Sequence, residues 1–248
     1  MSADLELGRA ARLIGEPARA AMLEALMSGE ALAAGELARV AGVAPATASD
    51  HLARLREGGL VEVVPSGRHR YYRLAGPRIG HALEALSLVV PASVDQPVRS
   101  LRAARTAEAH RLARTCYDHL AGAVGVGIHD ALIDRGALVV AGVGYALTVP
   151  GEDLLAGLGV DVPGARAARR HFARPCLDYT QRRPHLAGAL GAAICERLMC
   201  LGWLERRASA VPSVRRALRP TGKGRRGLSD AFGIDWHNFP EVAASDGR

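Results

Sequence analysis

The chain has 248 residues, 49% of them hydrophobic but only 4% aromatic, with a net charge of +7. That length allows one large domain or two ordinary ones, with cores built from Ala, Leu and Val. No apolar run approaches the roughly 20 residues of a membrane span, Met1–Arg12 lacks the apolar stretch of a signal peptide, and four cysteines in so long a chain argue against a disulfide scaffold. The expectation is a cytoplasmic protein with reduced thiols and no membrane partner. Its basic balance points to a polyanionic partner.

The charge is unevenly spread. Residues 1–90 carry ten Arg and ten acidic groups, so the excess lies beyond them. Within that part, residues 1–53 hold four Arg against seven acids, and residues 54–78 hold six Arg against two. A basic segment inside a neutral domain marks either a binding face or a solvated helix surface.

In chain order, Pro17 suits the first turn of a helix. Ala18, Met22, Leu23, Ala25 and Leu26 give that helix an apolar face, and Gly29 ends it. A short helix is predicted over 35–42, with Leu37, Ala38 and Val40 inward and Gly42 where a tight turn needs a permissive backbone. The next runs from about Pro45 to Glu57, with Leu52 and Leu55 inward. Two helices joined by a short Gly-containing turn form a helix-turn-helix, whose second helix enters the DNA major groove. Pro45, Thr47, Ser49, His51 and Arg54 are its candidate contact residues. After Gly58-Gly59, Leu60–Val64 alternates as a strand, Pro65-Ser66-Gly67 turns, and Arg68–Leu74 returns. Arg68, His69 and Arg70 sit at the basic tip of this wing, placed to follow phosphates or the minor groove.

The run Glu36-Leu-Ala, Gly42-Val, Thr47–Val61 and Ser66–Leu74, in that order, resembles the ArsR-type winged helix-turn-helix regulators over about residues 5–90. The resemblance implies a homodimer on an inverted-repeat DNA operator, with the helices flanking the motif (before Gly15, and Pro77–Val90) forming the dimer contact. Arsenic and cadmium sensors of this type carry a Cys-x-Val-Cys sequence on the helix before the recognition helix. Here that helix has no cysteine. His81 and Glu84, an i,i+3 pair on the helix after the wing, fall short of a zinc ligand set.

Residues 91–98 read as a linker between an N-terminal domain (1–90) and a C-terminal domain (99–248). The C-terminal part repeats itself, over about 112–161 and 172–235. Cys116-Tyr-Asp118 followed by His119-Leu-Ala-Gly matches Cys176-Leu-Asp178 followed, after six extra residues, by His185-Leu-Ala-Gly. Ala146-Leu-Thr-Val-Pro-Gly151 matches Ala217-Leu-Arg-Pro-Thr-Gly222. Each copy reads as a helix followed by strand, turn, strand and short helix. The fold class is therefore mainly α with small β-hairpin wings (α+β): a winged helix-turn-helix followed by two degenerate winged-helix-like repeats.

Cys116 and His119 share a helix face if that helix is continuous, and Cys176 and His185 are their equivalents. Paired repeats can bring the four together as a Cys₂His₂ set for zinc or another transition metal, with Asp118 and Asp178 orienting the imidazoles. Thiol redox sensing and plain packing are the alternatives. Cys195 and Cys200 fall on different faces of their helix. The basic segment 206–226 is either a solvated face or a second phosphate contact. Thr221-Gly-Lys-Gly lacks the Ser or Thr that a phosphate-binding loop places after Lys, and no nucleophile elbow is present, so no enzyme is indicated. The function expected is a DNA-binding transcriptional regulator, a homodimeric repressor answering an unidentified effector in the C-terminal domain. The alternative is a ligand-independent or architectural factor whose repeats only dimerise.

Overall fold

The computed structural model describes residues 3–66, 69–89, 101–206 and 216–239. Arg68 and the expected linker at 91–98 lie outside the described residues. The chain divides into two units, with the boundary between Leu86 and Ser87. The architecture is α+β: helices accompanied by small antiparallel sheets.

In the first unit α1 (Ala3–Ile14), α2 (Pro17–Leu26), β1 (Leu32–Ala33), α3 (Ala34–Ala41) and α4 (Pro45–Glu57) lead to β2 (Val61–Ser66) and β3 (His69–Leu74); α5 (Pro77–Val89) follows. Proline opens α2 and α4, where its missing N–H costs nothing. Glu36 accepts from Ala33 N at 3.0 Å and so caps α3. Gly42, with φ 65°, ends α3 in the left-handed conformation and turns the chain toward α4. The sheet order is β1-β3-β2, and Leu74 and Val61 pair at its inner end. Met22, Leu26, Leu37, Leu52, Leu55 and Leu74 form the core, each fully buried.

Arg19 ties this unit together from inside. Its side chain is 8% exposed and donates to Arg12 O and Leu13 O, each at 2.7 Å. These are carbonyls of the last turn of α1, which have no partner within the helix.

The second unit begins with α6 (Leu101–Leu112). Then β4 (Arg114–Cys116), β5 (His119–Ala121), α7 (Gly122–Asp134), β6 (Leu138–Ala141), β7 (Gly144–Leu147) and α8 (Val149–Gly157) follow. After α9 (Val162–Ala167) the same succession recurs as β8 (Arg174–Leu177), β9 (Pro184–Ala187), α10 (Gly188–Cys200), β10 (Leu204–Arg206), β11 (Leu218–Pro220) and α12 (Gly222–Phe232).

Two expectations are corrected here. Cys116 and His119 are not on a helix. They face each other across the β4–β5 hairpin, as Cys176 and His185 do across β8–β9. The helices start only at Gly122 and Gly188, whose φ values of 79° and 91° would strain any residue with a side chain. A Cβ there would also lie within 2.8 Å of Arg111 O and 2.7 Å of His171 O respectively. The trailing hairpins are also two residues out of the register that sequence matching suggests. Thr148 Oγ1 donates to Gly136 O and Thr221 Oγ1 to Gly202 O, each at 2.7 Å, and each threonine caps the helix that follows. Thr148 therefore corresponds to Thr221, and Leu147 to Pro220.

The two halves interlock. Leu218 N donates to Ala113 O at 2.9 Å and Tyr145 N to Ala173 O at 3.0 Å, so each half's leading hairpin adjoins the other's trailing one. β5 packs on α10 and β9 on α7. Leu120, Ile128, Leu132, Leu186, Leu190 and Ile194 belong to one shared core.

Candidate functional site

In the first unit, α4 sorts its residues by period. Ala48, Leu52 and Leu55 are buried, while Pro45, Thr47, Ser49, Asp50 and Arg54 are exposed. Ser49 Oγ donates back to Pro45 O at 3.0 Å, which leaves its lone pairs outward. Arg70 is exposed on β3. With Ser49, Tyr72 and Arg56 it lines an open concavity of about 500 Å³ between α4 and the sheet. Arg56 is not among the contact residues expected from sequence. Its place in the basic segment 54–78 was the available signal.

His51 departs from the expectation. Its ring is 14% exposed and lies 3.6 Å from Glu16 Oε2 and 3.4 Å from Arg19 Nη1. It faces α2 and anchors α4 to the unit, off the exposed polar face. The Arg19 backbone N–H holds the Glu16 carboxyl below its usual range, with His51 adding to that. His69 occupies β3, opposite Ser66.

The second unit brings together the four chemical groups singled out in its sequence. Cys116, His119 and His185 are fully buried, and Cys176 is half-buried. His119 Nε2 and His185 Nε2 are 3.1 Å apart. Cys116 Sγ and Cys176 Sγ are 3.9 Å apart. All four ligand atoms lie within 4.8 Å of one another. The rings stack at 23°, with centroids 5.0 Å apart. Tyr117, at φ 60°, makes the tight turn that puts Asp118 beside the site.

The two aspartates do different work. Asp118 Oδ1 is 3.1 Å from His119 Nδ1, and Arg170 holds its other oxygen. Asp178 is fully buried and accepts from Arg114 Nη2 at 3.0 Å, Gly122 N at 2.6 Å, Thr180 Oγ1 at 2.7 Å, and the backbone N–H groups of Thr180 and Gln181. It lies 3.9 Å from His185 Nδ1, beyond hydrogen-bond reach. That nitrogen is buried with no hydrogen-bond partner among the described residues. Burial opposes ionisation of Asp178, yet Arg114 and the donors around it hold its carboxyl well below the usual range. The bond with Cys116, then those with His119 and His185, lower Cys176 strongly against the effect of burial. Burial likewise works against a charged His119, but Asp118 and Cys176 raise it. Cys195 sits apart in the core, and burial pushes its thiol up to about 12.

Part of the basic segment has partners within the fold, while Lys223 and Arg226 are exposed. Arg216 is buried and donates to Thr115 O at 3.2 Å; Arg219 pairs with Glu205; Arg225 stacks over Trp236 at 4.9 Å. Arg207 and Arg215 lie outside the described residues. Among the described residues no helix is long and apolar enough to cross a membrane.

A helix-turn-helix domain family matches residues 14–64. The chain is 38% identical over 219 residues to an uncharacterized HTH-type transcriptional regulator, YdfF of Bacillus subtilis (strain 168), spanning 88% of this chain and 93% of that protein. It is 36% identical over 99 residues to the HTH-type transcriptional regulator CmtR of Mycobacterium tuberculosis, covering 40% of this chain and 83% of that protein. Among solved structures, the cadmium metal-sensor CMTR from Mycobacterium tuberculosis matches at 33% identity and TM-score 0.30, over 38% of this chain and 99% of that one. HlyU from Vibrio cholerae N16961 matches at 23% identity and TM-score 0.33, over 36% of this chain and 97% of that one.

Proposed function

Because this chain belongs to the HTH-type transcriptional regulators, with an ArsR-type winged-helix DNA-binding domain in its first unit, we propose that it is a cytoplasmic homodimeric repressor. It binds an inverted-repeat operator and is released by a signal received in the second unit. The observation that carries this reading is the division of α4. Its core residues Ala48, Leu52 and Leu55 seal the helix to the unit, while Pro45, Thr47 and Ser49 stay exposed in the N-terminal half, which meets base edges, and Arg54 stays exposed toward its C-terminal end, in reach of phosphates. The wing residues Arg68, His69 and Arg70 complete the contact. Phosphate contacts by Arg position the domain, and short polar groups on α4 read bases.

Exposed apolar groups favour a dimer. Leu7 on α1 is 75% exposed and Leu86 on α5 is 47% exposed. A second copy that covers the flanking helices removes both from water. A signal-receiving role for the second unit rests on chemistry that DNA binding does not need: a buried cluster of two thiols, two imidazoles and a charged pair. The duplicated succession of elements is read as two degenerate winged-helix-like repeats related by a pseudo-twofold, each preceded by its own hairpin.

The test is selection of an operator from random DNA, followed by footprinting. The expected result is a near-palindrome whose half-sites lie about one turn, roughly 34–36 Å, apart. A single unsymmetrical half-site would contradict the dimeric reading.

A further inference from the structure

We propose that Cys116, His119, Cys176 and His185 form a single tetrahedral site for a borderline-soft divalent metal ion of the zinc class, and that this ion is the signal. The second half of this proposal rests on the reading that the second unit controls operator binding; the first half stands without it.

The geometry is the argument. A tetrahedron with metal–sulfur bonds of about 2.3 Å and metal–nitrogen bonds of about 2.0–2.1 Å has edges of about 3.8 Å between sulfurs and about 3.3 Å between nitrogens. The observed separations are 3.9 Å and 3.1 Å. Two thiols and two imidazoles are a donor set that suits zinc, and hard oxygen-seeking ions do not fit it. Both histidines meet through Nε2, which leaves Nδ1 for an outer partner. Asp118 supplies that partner for His119 at 3.1 Å. His185 Nδ1 points toward the buried Asp178 carboxylate at 3.9 Å.

The architecture gives occupancy a mechanical consequence. Each hairpin offers one thiol and one imidazole from directly opposed positions, Cys116 with His119 and Cys176 with His185. Neither hairpin can complete the set alone. A bound ion therefore adds two bonds to β4–β5 and two to β8–β9 and fixes one placement of the two halves. Cys176, the half-buried ligand, marks the side from which an ion enters.

The experiment uses the full chain, purified metal-free under reductant. Titration with Co2+ should give the thiolate charge-transfer and d–d bands of a tetrahedral site, saturating at one ion per chain and displaced by Zn2+. Cys176→Ser and His185→Ala should each weaken binding by more than the roughly 10–100-fold that loss of an outer partner costs. Cys195→Ser and Cys200→Ser should leave it unchanged. A readout on the unaltered protein guards against variants that fail to fold: Zn2+ should protect Cys176 from alkylation, mapped by mass spectrometry. Absence of the bands, bands that survive Cys176→Ser, unprotected Cys176, or a reversible Cys116–Cys176 disulfide as the only change at the site would each overturn the metal site. Operator affinity is measured separately. A bound ion that leaves operator affinity unmoved would keep the site and overturn its role as signal.

Discussion

Arg114 and Asp178, 64 residues apart, form a salt bridge of 3.0 Å in which both side chains are fully buried. Arg114 also lies over the Tyr179 ring at 4.2 Å, and Asp178 reaches the first backbone N–H of α7 at Gly122. The pair thus joins the leading hairpin of one half to that of the other, directly behind the cysteine–histidine cluster.

Breaking this pair from one side leaves a buried charge without its counterion. Arg114→Met should destabilise the protein by about 3–5 kcal/mol. Arg114→Met combined with Asp178→Asn should cost less than the sum of the two single changes, because neither charge is then stranded. Urea unfolding of all three variants checks this. Strict additivity would show that the two residues act independently.

Arg19 makes a comparable test of the first unit. Arg19→Met removes the donors to Arg12 O and Leu13 O and the neighbour of His51. A cost of roughly 1–3 kcal/mol is expected for buried acceptors left unmade. Loss of α1 protection in hydrogen exchange should accompany it, and unchanged protection would remove Arg19 from its capping role.

Arg54→Ala and Arg70→Ala should weaken operator binding and lower the slope of log affinity against log salt by about one per lost phosphate contact. Thr47→Ala should change base preference with little effect on that slope. His51→Ala should lower stability more than it alters DNA preference, since its ring faces Glu16 and Arg19. The opposite pattern for His51 would return it to the interface.

The N-terminal unit was legible because its signals are local. Pro17 and Pro45 open helices, Gly42 closes one, and the 3.6-residue spacing of Leu52 and Leu55 orients α4. The setting of His51 is not legible locally, because the groups beside its ring, Glu16 and Arg19, lie more than thirty residues away. In the second unit the four residues that converge are legible in the sequence, because each Cys-x-Asp segment is followed by a His-Leu-Ala-Gly segment. The leading hairpins were not, since Cys116 and His119 fit helical spacing as well as a two-residue turn. The cue that separates the two is Gly122 and Gly188 at positive φ, which sequence alone does not reveal.

His110 predicts an acid limb in stability. Burial, followed by Arg216 and Arg114, lowers its pKa from 6.5 to about 2, against a smaller opposing pull from Asp178. The unfolded chain then binds a proton that the folded chain refuses. Its contribution is intact above the ordinary histidine pKa and is lost as pH falls below it, by up to about 1.4 kcal/mol per pH unit. His110→Gln should flatten this limb relative to the parent in urea unfolding between neutral pH and pH 5. Parallel profiles would show that His110 is not the titrating group.

Control of DNA binding by the second unit is read most directly in operator affinity of the full chain, measured by fluorescence anisotropy with and without Zn2+ at fixed salt. Coupling between sites is commonly 5–150-fold, and it can reach no further than the ion's preference for one state over the other. The result predicted is at least about 5-fold weaker binding with Zn2+ in the parent chain, abolished by Cys176→Ser. Equal affinity with and without Zn2+ in a chain that demonstrably holds the ion would contradict it.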